Sequence, residues 1–199
     1  MDQIRDMAIG LFLTMLLAWG HALGADVQGR FAIKGAGFAT CQNFIDARSQ
    51  GSKRYYQFGG WINGYLTALN EKSDATFDLV SWEAPDILST FVANYCERFP
   101  GRRFYLAVRE LAEVLERDRL EQFSPVIAVK VGDKGLGLYE LTLRRAQGRL
   151  RETGHYDGEV DGRFGPATRE ALRAFQRERG LRADGFPDQR TLHALFRGQ

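Results

Sequence analysis

The chain has 199 residues, of which 44% are hydrophobic and 26% charged, and its formal net charge is +2. That balance is typical of a globular protein, and a charge so near neutral, with no long basic run, excludes nucleic acid as an expected partner. The length leaves room for two small domains.

Residues 7–19, MAIGLFLTMLLAW, form an apolar run too short for a comfortable membrane span but suited to the core of a signal peptide. Arg5 precedes the run, and Ala22-Leu23-Gly24-Ala25 follows it with small residues for a signal peptidase, so residues 1–24 read as a signal peptide. Asp2 and Asp6 offset Arg5, which keeps an uncleaved N-terminal anchor as the alternative. No later stretch is apolar enough to span a membrane, so the expected location is the periplasm or the outside, with no membrane span after signal removal.

Residues 25–40 are Gly-rich, lack periodicity and read as an extended or flexible segment. Cys41 opens a helical stretch, CQNFIDARS, and Cys96 closes a later one, VANYCERF. In an exported chain these two cysteines most economically form one disulfide, whose long loop makes it worth roughly 4 kcal/mol in the chain-entropy model. A metal site there lacks a nearby His, and a catalytic thiol lacks a base.

Tyr55 to Glu71 carries Tyr55, Phe58, Ile62, Tyr65, Leu66 and Leu69 at helical spacing. Gly59, Gly60 and Gly64 lower its intrinsic propensity, which implies close packing against another backbone, while Trp61 reads as core and Asn70 as the helix end. Residues 72–83 read as a loop with one apolar insertion, Phe77 to Trp82. A third helix starts near Pro85 and shows Ile87, Leu88, Phe91, Val92 and Tyr95; Pro100-Gly101 breaks it, and a fourth runs from Phe104 to Leu115. Residues 38–118 are thus expected to form a disulfide-stapled four-helix domain. Residues 119–140 follow as a linker in which VIAVKV reads as a short strand or a strip packed across the domains; a flexible tether and a docked linker both fit.

Beyond the linker, Asp157-Gly158 and Asp161-Gly162 are paired turn signals, and Pro166 after Gly165 suits the first position of a helix. Thr168, Ala171, Leu172 and Phe175 continue that helix on one stripe. From residue 141 onward every cationic side chain other than His is Arg, whose rigid fork of donors suits carboxylates.

The pattern from about Leu143 to Leu195 resembles the type 1 peptidoglycan-binding domain, a three-helix module. The matching positions are Gln147, Leu150, Gly154, Tyr156, Gly158, Asp161-Gly162, Phe164-Gly165, Thr168, Ala171, Phe175-Gln176, Gly180-Leu181, Asp184-Gly185, Thr191 and Leu195. Two positions depart from it: Ala146 replaces a larger aliphatic residue, and Asp188 stands where Gly is frequent. The resemblance implies a wall-binding module over residues 141–199 and an all-α fold class of two small helical domains.

Peptidoglycan is then the expected partner, bound through Tyr156, Asp157, Asp161, Gly162, Arg163, Gly165, Thr168 and Arg169. The helix start near Pro166 offers free backbone N–H groups to a carboxylate, flanked by Arg163 and Arg169, with a hydroxyl from Thr168. Tyr156 would cover an apolar ligand face, Asp157 and Asp161 would fix the turns, and Gln176 would act as a buried brace.

Residues 38–118 more loosely resemble the periplasmic helical proteins grouped with HdeA and the Rap1a/Tai immunity proteins. Cys41 with Phe44, the helix bearing Trp61, Gly64-Tyr65, Leu66 and Asn70, and Asn94-Tyr95-Cys96 followed by Pro100 carry that likeness, which implies a protein partner. No catalytic residue, cofactor or metal site is expected. His155 and His193 are isolated, nucleophile motifs are absent, and Asp74, Asp78, Glu83 and Asp86 read as solvated loop acids rather than a glycosidase pair. The expected role is non-catalytic: an exported protein that holds an interaction domain at the wall. The alternatives are a wall hydrolase or its accessory subunit, and a toxin-immunity or chaperone-like protein.

Overall fold

Seven α-helices, two short 3-10 turns and one hairpin account for the regular structure of the described residues, 25–198, in a computed structural model. The signal-peptide reading of residues 1–24 lies outside them. The chain divides into two units, Met1–Ala32 and Ile33–Gln199. In the first, the Asp26 carboxylate accepts the backbone N–H groups of Gln28 and Arg30 at 3.0 and 2.8 Å and closes a small turn.

In the second unit, α1 (Cys41–Ser49) starts at a capping box in which Thr40 and Asn43 exchange side-chain and backbone hydrogen bonds. It is followed by α2 (Lys53–Lys72), α3 (Pro85–Arg98, with Pro in its first turn) and α4 (Phe104–Leu115). The expected apolar faces meet in one core: Phe44, Phe58 and Phe104 are fully buried, with ring centroids 4.6 to 5.4 Å apart. Cys41 and Cys96 form the expected disulfide and clamp α1 to α3.

Three local expectations are corrected. The glycines of α2 pack against nothing, since a Cβ built at Gly59, Gly60 or Gly64 meets no atom within 4 Å. Close approach occurs instead at Gly37, where a Cβ would lie 2.2 Å from the Trp61 ring. Residues 34–38 are consequently not loose: Trp61 donates its indole N–H to the Lys34 carbonyl at 2.8 Å and holds a short 3-10 turn, Gly35–Phe38, against the core. Asn70 does not end α2; its side chain reaches out to Asp78 and to the Leu79 N–H at 3.1 and 3.0 Å, anchoring the loop that follows.

The all-α expectation is also corrected, because the linker contains an antiparallel hairpin, β1 (Val126–Val131) and β2 (Lys134–Tyr139), with Val126 opposite Tyr139 and Val131 opposite Lys134. β-branched residues alternating with exposed ones favour this choice: Val129 and Val131 turn inward while Ala128 and Lys130 face out. The linker is therefore docked. It leads into α5 (Glu140–Glu152), α6 (Pro166–Glu178) and α7 (Gln189–Phe196).

What joins the four-helix part to α5–α7 is the loop before α3. Trp82 enters a cluster with Val129, Val131, Leu138, Leu143, Phe186 and Leu192. The backbone polar groups on either side of it are paired across the same seam, while its indole N–H has no partner among the described residues. Gln189 donates to the Trp82 carbonyl and accepts the Ala84 N–H, both at 2.9 Å, and the Thr142 hydroxyl donates to the Ser81 carbonyl at 2.7 Å. Arg197 contacts Glu83 at 3.4 Å and Asp118 at 2.6 Å. Burial pushes the Glu83 carboxyl above its usual 4.5, against the opposing pull of the Trp82 N–H and Arg197.

Two outcomes follow from this packing. Gly64→Ala should stabilise the fold by about 1 kcal/mol, raising the thermal midpoint by roughly 2–4 °C, because helix propensity improves and no neighbour is displaced; calorimetry checks it. For Glu83, a raised folded pKa means its favourable contribution is complete below 4.5 and is lost as pH rises through the folded value. Glu83→Gln should thus equal or exceed wild type in stability at neutral pH, with the advantage shrinking as pH falls toward 4.5. A lower urea midpoint for the variant at neutral pH would contradict this.

Candidate functional site

The C-terminal helices are organised around two buried glutamines that perform the same task twice. Gln147 on α5 is fully buried; its Oε1 accepts the Gly162 N–H at 2.8 Å, and its Nε2 donates to the Asp161 carboxylate, the Arg163 carbonyl and the Thr168 hydroxyl at 2.9, 3.0 and 3.1 Å. Gln176 on α6 repeats the arrangement: its Oε1 accepts the Gly185 N–H at 2.8 Å, and its Nε2 donates to the Phe186 carbonyl and the Thr191 hydroxyl, both at 2.9 Å. Each amide thereby pins the turn that leads into the next helix.

Glycine is required in both turns for two reasons. Gly162 and Gly185 each have φ +75°, the left-handed region, and a Cβ on either would fall within 3 Å of the preceding helix, against Glu140 and Arg144 in one case and Arg169 and Arg173 in the other. The aspartates complete the turns, Asp161 accepting the Arg163 N–H and Asp184 the Phe186 N–H, both at 2.9 Å. The hydrogen bond from Gln147, with that from the Arg163 N–H, holds the Asp161 carboxyl below the usual carboxylate range. Burial pushes Asp184 up, but Lys134 at 2.6 Å, the Phe186 N–H and Arg182 outweigh it and leave the carboxyl lowered.

This frame sorts the expected site residues. Tyr156 is buried, and its hydroxyl donates to the Glu159 carbonyl at 2.7 Å, so its ring faces the core rather than a ligand. Thr168 is 2% exposed, and its hydroxyl is taken up by Gln147 and the Arg163 carbonyl, so it is no ligand group. Asp161 and Gly162 belong to the first bracket, and Asp157 is exposed on the turn before it. Arg163 and Gly165 immediately precede α6, and Arg169 is its fourth residue. Gly165 is the N-cap in an extended conformation and no side chain caps the first turn, while both guanidiniums are exposed and Arg169 Nε lies 3.5 Å from the Asp184 carbonyl. The α7 start differs, because Asp188 accepts the Thr191 N–H at 2.8 Å; the departure from Gly at 188 supplies a helix cap.

The loop acids do not assemble. Asp78 accepts from Asn70, the Val80 N–H and the Tyr139 hydroxyl, the last of which is pushed up to about 12 by burial and by Asp78 itself. Glu83 is enclosed in the seam, and Asp74 and Asp86 are exposed. The role of Gln147 as a bracket is one that reading for ligand groups overlooks. Its signal lies in the sequence all the same: Asp-Gly and then Thr recur at one interval, 161, 162 and 168 against 184, 185 and 191.

Gln147→Leu and Gln176→Leu should each cost about 3 kcal/mol, since either leaves a buried N–H and other polar groups unpaired. Urea unfolding reads this directly, and a loss below ~1 kcal/mol would show that water replaces the amide.

Residues 142–195 match the model of the family described as "Putative peptidoglycan binding domain". The N-acetylmuramoyl-L-alanine amidase CwlM of Mycobacterium tuberculosis is 45% identical over 62 residues, 31% of this chain and 15% of the relative. The spore cortex-lytic enzyme of Bacillus cereus is 32% identical over 93 residues, 47% of this chain and 34% of the relative. A solved structure of SltB3 from Pseudomonas aeruginosa, in complex with NAG-anhNAM-pentapeptide, is 28% identical over 52% of this chain and 26% of its own, with a TM-score of 0.29. The chain thus spans between 15% and 34% of the length of these proteins. With the helices, the bracketed turns and the family match in agreement, residues 142–195 are a peptidoglycan-binding domain.

Proposed function

We propose that the chain is a non-catalytic wall-binding protein in which the start of α6 takes a carboxylate of a peptidoglycan stem peptide. One observation carries the reading: no side chain caps the first turn of α6, which the turn pinned by Gln147 leads into, and two exposed arginines, Arg163 and Arg169, flank it along the chain. Free N–H groups and the positive end of the helix dipole attract an anion, and Arg adds a directional fork. The disulfide and the peptidoglycan-binding domain together support a location outside the cytoplasm.

The four-helix part, residues 38–118, would then be the piece presented to a protein partner, its local concentration at the wall raised by the module. The likeness to HdeA and the Rap1a/Tai proteins supplies the expectation of a partner but no identity for it. A second reading is favoured by the names of the relatives, an amidase and a cortex-lytic enzyme. In that reading the chain assists a wall hydrolase, and muropeptide release from purified wall would rise only when the hydrolase is also present.

Co-sedimentation with purified peptidoglycan tests the primary reading. Wild type should pellet with the wall, and the Arg163→Ala, Arg169→Ala double variant should bind at least about tenfold more weakly, the more so at low salt. Equal binding by the two would remove the α6 start from the site.

A further inference from the structure

Between α2 and α3 runs a groove of about 340 Å³, far from empty of chemistry and used by nothing described above. Its floor is apolar, made by Ile62, Leu88 and the edge of Phe44. Along one side the α2 backbone lies bare at Gly59 and Gly60, where an added Cβ would meet nothing within 4 Å. Two glycines in the interior of a 20-residue helix weaken it, and the packing within the chain supplies no compensation. A bare backbone stretch of this kind suits close approach by another molecule.

The rim is of a different character. Tyr56, one turn before Gly60 on the same face, is 75% exposed and stands beside Tyr55 with ring centroids 6.0 Å apart. Asn63 and Asp86 are among the residues that line the groove, and their side chains have no hydrogen-bond partner among the described residues. Tyr55 and Ser89 by contrast bond each other at 2.8 Å and close off the inner wall. An open aromatic face, one free amide, one free carboxylate and a small apolar floor are complementary to a sugar that carries an acetamido group. The ring's apolar face would lie on Tyr56, the acetyl methyl on Ile62 and Leu88, its N–H on Asp86 and its carbonyl on the Asn63 amide.

We propose that this groove binds the N-acetylated amino sugars of a glycan strand, a site separate from the α6 start. The choice of a saccharide occupant rests on the reading that the chain meets peptidoglycan, since the groove and the wall-binding domain belong to one compact unit. A helix from a second copy fits less well. The face of α2 bearing Tyr56 and Gly60 continues through Asn63, Gly64 and Thr67, all exposed and none offering the apolar ridge that helix docking needs.

The test titrates the chain with the linear tetramer of N-acetylglucosamine and with its de-N-acetylated counterpart, followed by calorimetry. This probe has no peptide and no carboxylate, so the α6 start does not contribute. Wild type and the Arg163→Ala, Arg169→Ala variant should bind the acetylated tetramer equally and saturably. Gly60→Leu, which fills the groove while improving helix propensity, should bind at least tenfold more weakly with no fall in thermal midpoint, and the de-N-acetylated tetramer should bind at least tenfold more weakly to wild type. Absence of saturable binding by wild type, or undiminished binding by Gly60→Leu, overturns the proposal. So does a wild-type dimer that Gly60→Leu converts to monomer without any sugar binding, which would assign the groove to a second copy. Tetramer binding that persists while wall sedimentation is indifferent to the arginine changes would sink the α6 reading and leave the groove standing.

Discussion

A single side-chain amide that satisfies a turn from the inside is the constraint on which the C-terminal half depends. Gln147 has no solvent to fall back on, so its carbonyl and its N–H groups must all be used by the chain around it. That requirement propagates outward. Gly162 must present its N–H from a left-handed conformation with no side chain in the way, Asp161 must accept, and Thr168 must lie under the first turn of α6. Leaving any one of these unmade strands buried polar groups at about 1–3 kcal/mol each, so the turn has one workable arrangement. Gln176 imposes the same logic on the turn before α7. The exposed arginines at the α6 start are therefore carried on a rigid support although they sit at a loop, and the first turn is left open by Gly165 where α7 is closed by Asp188.

A second constraint makes one body of what reads as two. The loop before α3 places Trp82 inside the apolar cluster of the hairpin, α5 and α7, while Thr142 and Gln189 take up the backbone polar groups on either side of it. Hydrophobic burial supplies the attraction and the hydrogen bonds supply the register. Glu83, Arg197 and Asp118 add a shielded charge cluster at the same seam, whose desolvation offsets much of its Coulombic gain. Its contribution is thus to alignment more than to net stability.

The two surfaces left open by this framework differ in chemistry. At the α6 start the groups are cationic donors, suited to carboxylates. In the groove between α2 and α3 the charge is negative or absent, the backbone is bare and an aromatic ring is exposed, which suits a neutral, hydroxyl-rich ligand. A polymer whose sugar strands carry acidic peptides presents both chemistries, and a body held stiff by the Trp82 seam presents both surfaces at a fixed separation.

How much was legible from the chain alone depends on whether the governing interaction is local. The four N-terminal helices follow from apolar periodicity, the α6 start from Gly165-Pro166, and the tight turns from Asp-Gly, because propensity and steric rules act within a few residues. The pairing of Cys41 with Cys96 followed from their being the two cysteines of the chain. What the residues could not reveal was direction: Gly59 and Gly60 look alike whether they face a helix or open space, and Tyr156 and Thr168 look like ligand groups until their hydroxyls are seen to be used inside. The same holds for Trp82, an apolar residue in a loop whose partners lie more than forty positions away. Sequence by itself determined the helices, the Asp-Gly turns and the family of the C-terminal domain, since those depend on spacing along the chain. Tertiary structure alone decided the docked hairpin, the seam and which polar groups remain free, because each is settled by competition among distant groups for the same buried space.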